Sequence, residues 1–203
     1  GDVPGSMRRA ILSFVLVCAA RAARGQGTRH NSMLIHLSRF IEVQKELFVV
    51  VEAQLKGIRN GVRNSLQAEK RPVYQELKRI WEEDFLETTA AFDDPDLPVL
   101  PWDAIWEALP SAVEKIKVKT INGESEDTLD YYRNQEHGIS VIAIGGAKLS
   151  RGLTLEGLTV SYFQRTSLMY DTLMQMGRWF GYRPGYLDLC RLYTSPDLVR
   201  WFA

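Results

Sequence analysis

The sequence contains few of the residues that hold small or metal-dependent domains together. Only two cysteines, Cys18 and Cys190, and three histidines occur among 203 residues. Both cysteines lie in apolar runs and no zinc-ligand spacing is present, which favours buried, reduced thiols in a cytosolic protein over a disulfide framework. His36 has no cysteine or acid at a local ligand spacing, so we expect a buried core ring. A chain of this length can bury a sizeable core without disulfide bonds or structural metal ions.

Several functional signatures are also absent. Lys148 is neither preceded by glycine nor followed by serine or threonine, so no Walker loop is present, and no dinucleotide G-x-G-x-x-G occurs. The chain therefore lacks a nucleotide-binding loop of its own. The nearest approach to a nuclease metal cluster is Asp96 with Glu114 and Lys117. Its spacing is wrong, and Asp96 stands in a proline-broken acidic loop that favours a solvated linker.

No low-complexity tract or internal repeat appears, and the composition is that of a globular protein. Apolar residues make up 45% and charged residues 25% of the chain. These values exclude global disorder, collagen-like repeats and a coiled-coil rod. The sequence starts with Gly1 and stops inside a helical pattern, so we expect it to be part of a longer chain.

One apolar run, from Met7 to Gly25, has two interpretations. A basic start, an apolar stretch and the triplet Ala-Arg-Ala resemble a secretory signal. Against this, Arg21 and Arg24 follow the apolar stretch directly, and the run is too short to span a bilayer. We favour a buried helix that is capped by Ser6 and ends near Gly25, with no membrane partner.

The formal net charge is zero, but the charges are segregated along the chain. Residues 1–75 hold 12 basic and 5 acidic residues, residues 76–136 hold 6 and 16, and residues 137–203 hold 7 and 4. Two basic stretches could fold together onto a phosphate-rich partner such as DNA. The alternative is a solvated acidic helix pair.

Strand and helix patterns alternate over most of the chain, which predicts a parallel sheet with helices on both faces and any site in loops at the strand ends. The expected strands are Ser32–Ser38, Lys115–Ile121, Ile139–Ile144, Gly157–Phe163 and Leu189–Thr194. The expected helices are Arg39–Ile58, 73–91, Trp102–Leu109, Met169–Arg178 and Pro196–Phe202, and a turn is expected at Asn122-Gly123. The apolar side of the first of these helices is predicted to hold Phe40, Val43, Leu47, Val50 and Leu55.

Two glycine- and arginine-containing segments are candidates for phosphate recognition. GGAKLSRGLTLEG, residues 145–157, follows a predicted strand, and QMGRWFGYRPG, residues 175–185, ends a predicted helix. Glycine lets backbone amides approach an anion, and arginine presents a charged fork that suits phosphate. Nearby aromatic residues such as Trp179 and Tyr182 could stack bases, although such residues more often pack in the core.

These segments resemble the fifth and sixth motifs of superfamily two helicases. MLIHLSRF is similar to the fourth motif, and KVKTINGES to the strand and turn between the fourth and fifth. The combination of IGGAKLSRGLTLEGLTVSYF, MYDTLMQMGRWFGYRPGYLDLCRLYT and SMLIHLSRF resembles the Z-one domain family, predicted endonucleases associated with superfamily two helicase domains in bacterial restriction-type systems. The resemblance runs from about Ser6 to the C-terminus, and residues 60–112 are its least distinctive part.

The resemblance implies a C-terminal RecA-like helicase lobe formed by residues 1–59 and 112–203, with an acidic, mainly helical insert at 60–111. ATP and magnesium would be held mainly by an N-terminal lobe of the same chain, outside this sequence. The implied site residues fall into three groups: Arg178 and Arg183 are catalytic; Gly152, Gln175 and Gly177 bind nucleotide; and Ser38, Arg39, Lys148, Ser150 and Arg151 bind nucleic acid.

The motifs depart from the family pattern in places. Gly146 stands where helicases commonly have threonine, and Thr154 where they have aspartate. Gln175 is one residue closer to Gly177 than usual, and Arg183 follows Arg178 by five residues instead of three. Which of the two arginines reaches the phosphate therefore stays open.

The function implied is that of the motor lobe of an ATP-dependent DNA helicase or translocase, a cytoplasmic hydrolase component of a restriction or phage-defence system. DNA and other subunits of that system would be its partners, and this chain alone would be inactive. Two alternatives are a non-catalytic DNA-binding or protein-interaction module that keeps the lobe fold, and a lobe with its own nuclease activity.

Overall fold

The computed structural model describes residues 3–37, 40–63, 68–92, 94–121, 131–145, 155–164 and 185–195. Helices and strands follow one another along these residues. The helices are α1 Gly5–Arg21, α2 Ile41–Arg63, α3 Pro72–Ile80, α4 Leu86–Phe92 and α5 Trp102–Lys115. The strands are β1 Asn31–His36, β2 Ile116–Ile121, β3 Ser140–Gly145, β4 Leu158–Phe163 and β5 Arg191–Tyr193.

The five strands form one parallel sheet in the order β2-β3-β1-β4-β5. β1 is central: Ile35 is in register with Ile144 of β3 and with Tyr162 of β4. Because every strand runs the same way, all amino ends lie at one edge of the sheet and all carboxyl ends at the other. The predicted α/β fold with a parallel sheet is confirmed.

Both faces of the three central strands are buried, as each strand's burial pattern shows. Alternate side chains of one face join the hydrophobic core with the helices: Met33, Ile35, Ile142, Ile144, Val160 and Tyr162. Side chains of the opposite face are also excluded from solvent: Leu34, His36, Val141, Ala143, Ser161 and Phe163. The predicted burial of His36 is confirmed, and its ring stands edge-on to Phe163 at 5.0 Å between centroids.

α1 is the innermost helix of the described fold. Every residue from Ala10 to Arg21 is buried, and the helix packs against α5, β4 and β5. Burying each large aliphatic or aromatic side chain contributes about 1.5–3 kcal/mol, so this apolar run serves as core. The predicted buried helix is confirmed.

The predicted capping of α1 by Ser6 is wrong. The helix starts at Gly5 after Pro4, whose carbonyl oxygen accepts the first amide bonds, and Ser6 Oγ instead lies 2.9 Å from Tyr162 Oη. At the other end, a π-helical turn follows α1 and contains Gly25 at φ +77°. Glycine adopts this left-handed backbone without strain, which explains why the helix ends there.

The segment predicted as one helix over 73–91 is helical from Pro72 to Phe92, because a π-helical turn at Trp81–Phe85 joins α3 to α4. The helix predicted at Trp102–Leu109 is longer than expected. α5 continues through Pro110 to Lys115. Its buried residues Ile105, Leu109, Ala112 and Val113 keep helical spacing past the proline. Packing along this stripe therefore outweighs the proline's missing hydrogen bond.

The apolar side predicted for the helix after β1 is only partly correct. Val51, Leu55, Ile58 and Val62 form its buried stripe. Phe40 and Val43, which the pattern placed on the same side, are 61% and 38% exposed. The last strand also starts later than predicted, at Arg191, because a single 3-10 turn occupies Leu187–Leu189.

Both cysteines are free; Cys18 is buried and Cys190 is partly buried. Burial raises the pKa of the Cys18 thiol to about 12. Cys18 is therefore a neutral core residue and not a nucleophile. Among the helices of the described residues, none combines the length and apolar character needed to cross a bilayer.

Candidate functional site

The predicted motif loops start at the carboxyl edge of the sheet. β1 ends at His36 and β3 at Gly145, and these two strands are adjacent and parallel. The fourth-motif and fifth-motif segments therefore leave the sheet at the same edge. The predicted site residues themselves all lie outside the described residues: Ser38, Arg39, Lys148, Ser150, Arg151, Gly152, Gln175, Gly177, Arg178 and Arg183.

In the chain, the sixth-motif segment lies between β4 and β5. It follows β4, which ends at Phe163 on the carboxyl edge, and it ends at Gly185, shortly before β5 starts on the amino edge. Gly185 has φ +85°. Its carbonyl oxygen accepts hydrogen bonds from Arg24 Nη1 at 3.3 Å and Gln26 Nε2 at 3.1 Å. The turn after α1 thus fixes the point at which the arginine segment ends.

A buried ion pair lies directly behind this anchor. Arg24 donates to both carboxylate oxygens of Asp188, at 2.8 and 2.6 Å, and Thr89 Oγ1 donates to the same carboxylate at 2.6 Å. The Arg24 and Asp188 side chains are only 3% and 0% exposed. This network joins the turn after α1, helix α4 and the chain just after the sixth-motif segment.

The acidic middle of the chain also pairs with the basic stretches on either side. Arg8 contacts Glu76 at 2.7 Å, and Arg191 contacts Asp84 at 2.9 Å. The Arg191 guanidinium also lies 4.1 Å from the centre of the Phe85 ring. Part of the segregated charge is therefore neutralised inside the fold and is not presented to a partner.

Two adjoining cavities, together the amino-edge cleft, open where β1, β3 and β4 begin. Arg29, His30 and Glu156 line both cavities. The first, of about 450 Å³, adds Arg21, Gln26, Gly157 and Tyr186. The second, of about 720 Å³, adds Thr28, Tyr131, Tyr132 and Gln135. The cleft is thus basic, aromatic and polar.

Arg21 forms the inner wall of this cleft and is only 3% exposed. Nε donates to Gln26 Oε1 at 2.9 Å, and Nη1 donates to the His30 carbonyl at 2.6 Å and to Asn31 Oδ1 at 2.7 Å. The guanidinium also stacks at 4.0 Å from the centre of the Tyr186 ring. All of these acceptors are neutral, and no described carboxylate pairs with Arg21.

Burial determines the protonation states of the titratable side chains beside Arg21. Burial lowers the pKa of His30, and Nδ1 of that ring accepts the Ile139 amide at 3.2 Å, so the neutral ring carries its proton on Nε2. Burial raises the pKa of Tyr131 to about 12. Tyr131 therefore stays a neutral hydroxyl, bonded to Ser32 Oγ at 2.8 Å. Glu156 is the only described carboxylate that lines the cleft.

Gly157 is required at the floor of the cleft. It has φ +65°, and a Cβ atom built there would collide with the carbonyl oxygen of His30. Its own carbonyl accepts the Ser32 amide at 2.8 Å. Only glycine allows the two backbones to approach this closely.

The sequence did not predict the amino-edge cleft. In the sequence, Arg21 and Arg24 argue only against a secretory signal. Nothing there indicates that Arg24 binds Gly185 or that Arg21 lines a cleft. Arg21 stacks on Tyr186 and Arg24 pairs with Asp188, and both partners stand far along the chain; Arg24 and Asp188 are 164 residues apart. The one local indication was the pair of arginines at the end of an apolar helix.

No group of three or more His, Cys, Asp or Glu residues that could hold a metal occurs within the described residues. Of the residues considered for a nuclease, Glu114 pairs with Arg63 at 2.8 Å, and the Asp96 amide bonds Asp94 in a surface turn. The Glu114 carboxylate is thus engaged in an ion pair with α2, whereas the bond at Asp96 is made by its backbone.

Comparison with known families gives a match to the Z1 domain over residues 6–203. The chain belongs to the Z1 domain family. No curated protein and no solved structure gives a significant match. The resemblance to the Z-one family found in the sequence is thereby confirmed, and the match includes both the anchor of Gly185 and the amino-edge cleft of this Z1 domain.

Proposed function

We propose that this Z1 domain is the C-terminal, RecA-like motor lobe of an ATP-dependent DNA helicase or translocase in a restriction or phage-defence system. ATP and magnesium bind mainly to an N-terminal lobe, and this lobe contributes Arg178 or Arg183 to the nucleotide. Gly152, Gln175 and Gly177 support nucleotide contacts, while Ser38, Arg39, Lys148, Ser150 and Arg151 contact DNA.

The observation that carries this proposal is the arrangement of β1 and β3. The segments that resemble the fourth and fifth helicase motifs follow these two strands, which are adjacent and parallel and end at the same edge. In open α/β sheets, ligands bind outside the carboxyl ends of the strands. An order in which β1 and β3 were separated would have spread the two motifs over the sheet.

Exposed apolar side chains near the same edge support a second lobe as partner. Phe40 stands just before α2, and Val43 in its first turn; both follow the carboxyl end of β1. An exposed phenylalanine beside a predicted motif fits a surface that another domain covers. Helix α2 would then contact the N-terminal lobe through its first turn.

The 203-residue chain alone should not hydrolyse ATP, because it has no Gly-Lys-Ser or Gly-Lys-Thr loop to hold the phosphates. The measurement is steady-state phosphate release with and without DNA, compared with an Arg178→Ala variant of the same chain. Turnover above that of the variant would contradict the assignment of this chain to a lobe that needs a partner.

The charge map favours one alternative enough to test it, a non-catalytic DNA-binding module. In either case we expect weak binding to DNA with no sequence preference and a steep decrease with salt, since the contacts are between Lys or Arg and phosphate. Fluorescence anisotropy with two unrelated duplexes between 50 and 200 mM salt measures this. Equal affinity at both salt concentrations would contradict phosphate-based binding. DNA-stimulated ATP turnover by the full-length protein separates the motor from the module.

A further inference from the structure

We infer that the amino-edge cleft binds a phosphate group, with Arg21 and Arg29 as the cationic contacts. The inference rests on described residues alone and does not depend on the motor function. The cleft lies at the amino ends of β1, β3 and β4, whereas the fourth-motif and fifth-motif segments leave from the carboxyl ends. It is therefore a different site from the one that those two motifs would form.

The main reason is the uncompensated charge of Arg21. A buried guanidinium without a carboxylate is costly, because several kcal/mol of hydration are lost on burial. Arg21 nevertheless has only neutral acceptors among the described residues, and its Nη2 donates to none of them. An oxyanion in the cleft would supply a counter-charge to Arg21 and an acceptor for its Nη2.

Neighbouring residues fix the orientation of the Arg21 guanidinium before a ligand binds. Stacking on Tyr186 fixes its plane, and bonds to Gln26 and Asn31 fix its rotation. Little conformational entropy is then lost on binding. Because Nε and Nη1 already donate to Gln26, His30 and Asn31, Nη2 is the nitrogen of Arg21 that would donate to a phosphate oxygen. Gly157 keeps the floor of the cleft free of a side chain.

The outer wall adds a second cation and neutral donors. Arg29 is exposed. His30 can donate from Nε2 while its Nδ1 is occupied by the Ile139 amide. Among the described residues that line the cleft, two guanidinium groups stand against the one carboxylate of Glu156. Tyr132, 83% exposed, offers a ring for a base if the phosphate belongs to a nucleotide.

The test is titration calorimetry of the 203-residue chain with three probes: inorganic phosphate, adenosine 5′-monophosphate and a 5′-phosphorylated decathymidylate. Arg29→Gln should weaken binding of the phosphorylated probes about tenfold, the loss expected for one charge-assisted hydrogen bond. Arg79→Gln is the matched control, since Arg79 is exposed on α3 and does not line the cleft. It should change affinity less than twofold.

A second variant tests the inner wall. Arg21→Lys keeps the charge but loses the stacking on Tyr186 and the bonds to Gln26 and Asn31 that orient the group, and it should weaken binding at least as much as Arg29→Gln. If this variant does not fold, Arg29→Gln against Arg79→Gln decides alone. Failure of every probe to bind, or equal affinities for the Arg29 and Arg79 variants, would overturn the site.

The three probes also identify the source of the phosphate. Equal affinity for all of them indicates recognition of the oxyanion itself. Tighter binding of the monophosphate nucleotide or the oligonucleotide, removed by Tyr132→Ala, indicates a nucleotide or a nucleic-acid strand. No arm measures ATP turnover, so failure here leaves the motor proposal untouched, and failure of the motor leaves the cleft to be judged on these affinities.

Discussion

Replacing Asp188 with alanine should reduce the free energy of unfolding by about 3–5 kcal/mol, the loss measured when one partner of a buried ion pair is removed. Asp188 is fully buried, and its carboxylate accepts three hydrogen bonds, two from Arg24 and one from Thr89. The variant leaves the Arg24 guanidinium buried without a counter-charge, and its desolvation is then no longer offset.

Urea unfolding of the 203-residue chain measures this effect. The control is Glu83→Ala, which removes an acid from an exposed position of the Trp81–Phe85 turn and should change stability by less than about 0.5 kcal/mol. Thr89→Val should fall between them, at about 1.5–3 kcal/mol, since it removes one bond to a charged group. If the free energy of unfolding of Asp188→Ala lies within about 1 kcal/mol of that of the control, water reaches the ion pair and the prediction is wrong.

The double variant Arg24→Met with Asp188→Leu separates burial from charge. Replacing both ions by apolar side chains of similar volume removes the unpaired charge, so much of the lost stability should return. The free energy of unfolding of the double variant should therefore exceed that of Asp188→Ala. A double variant as unstable as the single one would place the effect in packing against α4 and not in electrostatics.

The fold could be predicted from the sequence because each of its central strands is one short, continuous apolar run. The runs that became β1, β3 and β4 are buried on both faces, and such strands appear as short continuous apolar stretches. The same reasoning failed at Pro110, where propensity predicted an end to α5 but the buried Ala112 and Val113 extended the helix. Packing decides such cases, and packing partners are not visible in a local window.

The candidate site was less accessible to sequence reasoning. Arg21, Arg24 and Gln26 look like the polar end of an apolar helix, yet they hold Tyr186, Asp188 and Gly185 from the far end of the chain. A single sequence offers no signal for contacts of that separation. The helicase-like motifs were recognisable because their residues are contiguous. The roles of their site residues remain predictions, since those residues lie outside the described part of the chain.

In the full-length protein, Arg178→Ala or Arg183→Ala should reduce ATP turnover at least about a hundredfold and leave DNA affinity within a few-fold. An arginine finger stabilises charge that develops on the transferring phosphoryl group in the transition state, so its loss affects turnover more than ground-state binding. Turnover, DNA affinity and melting temperature are measured for each variant. The anchored Gly185, two residues after Arg183, explains why one of the two arginines should behave differently.

The arginine that is not the finger would serve the turn that leads to Gly185. Its alanine variant should lower the melting temperature, with turnover reduced only in proportion to the folded fraction. Lysine distinguishes the two roles further. At the finger, lysine carries the charge but lacks the fork that bridges two phosphoryl oxygens, so Arg→Lys should stay close to the alanine value. Full turnover in both alanine and both lysine variants would remove the sixth-motif assignment and leave the non-catalytic module as the better account of this Z1 domain.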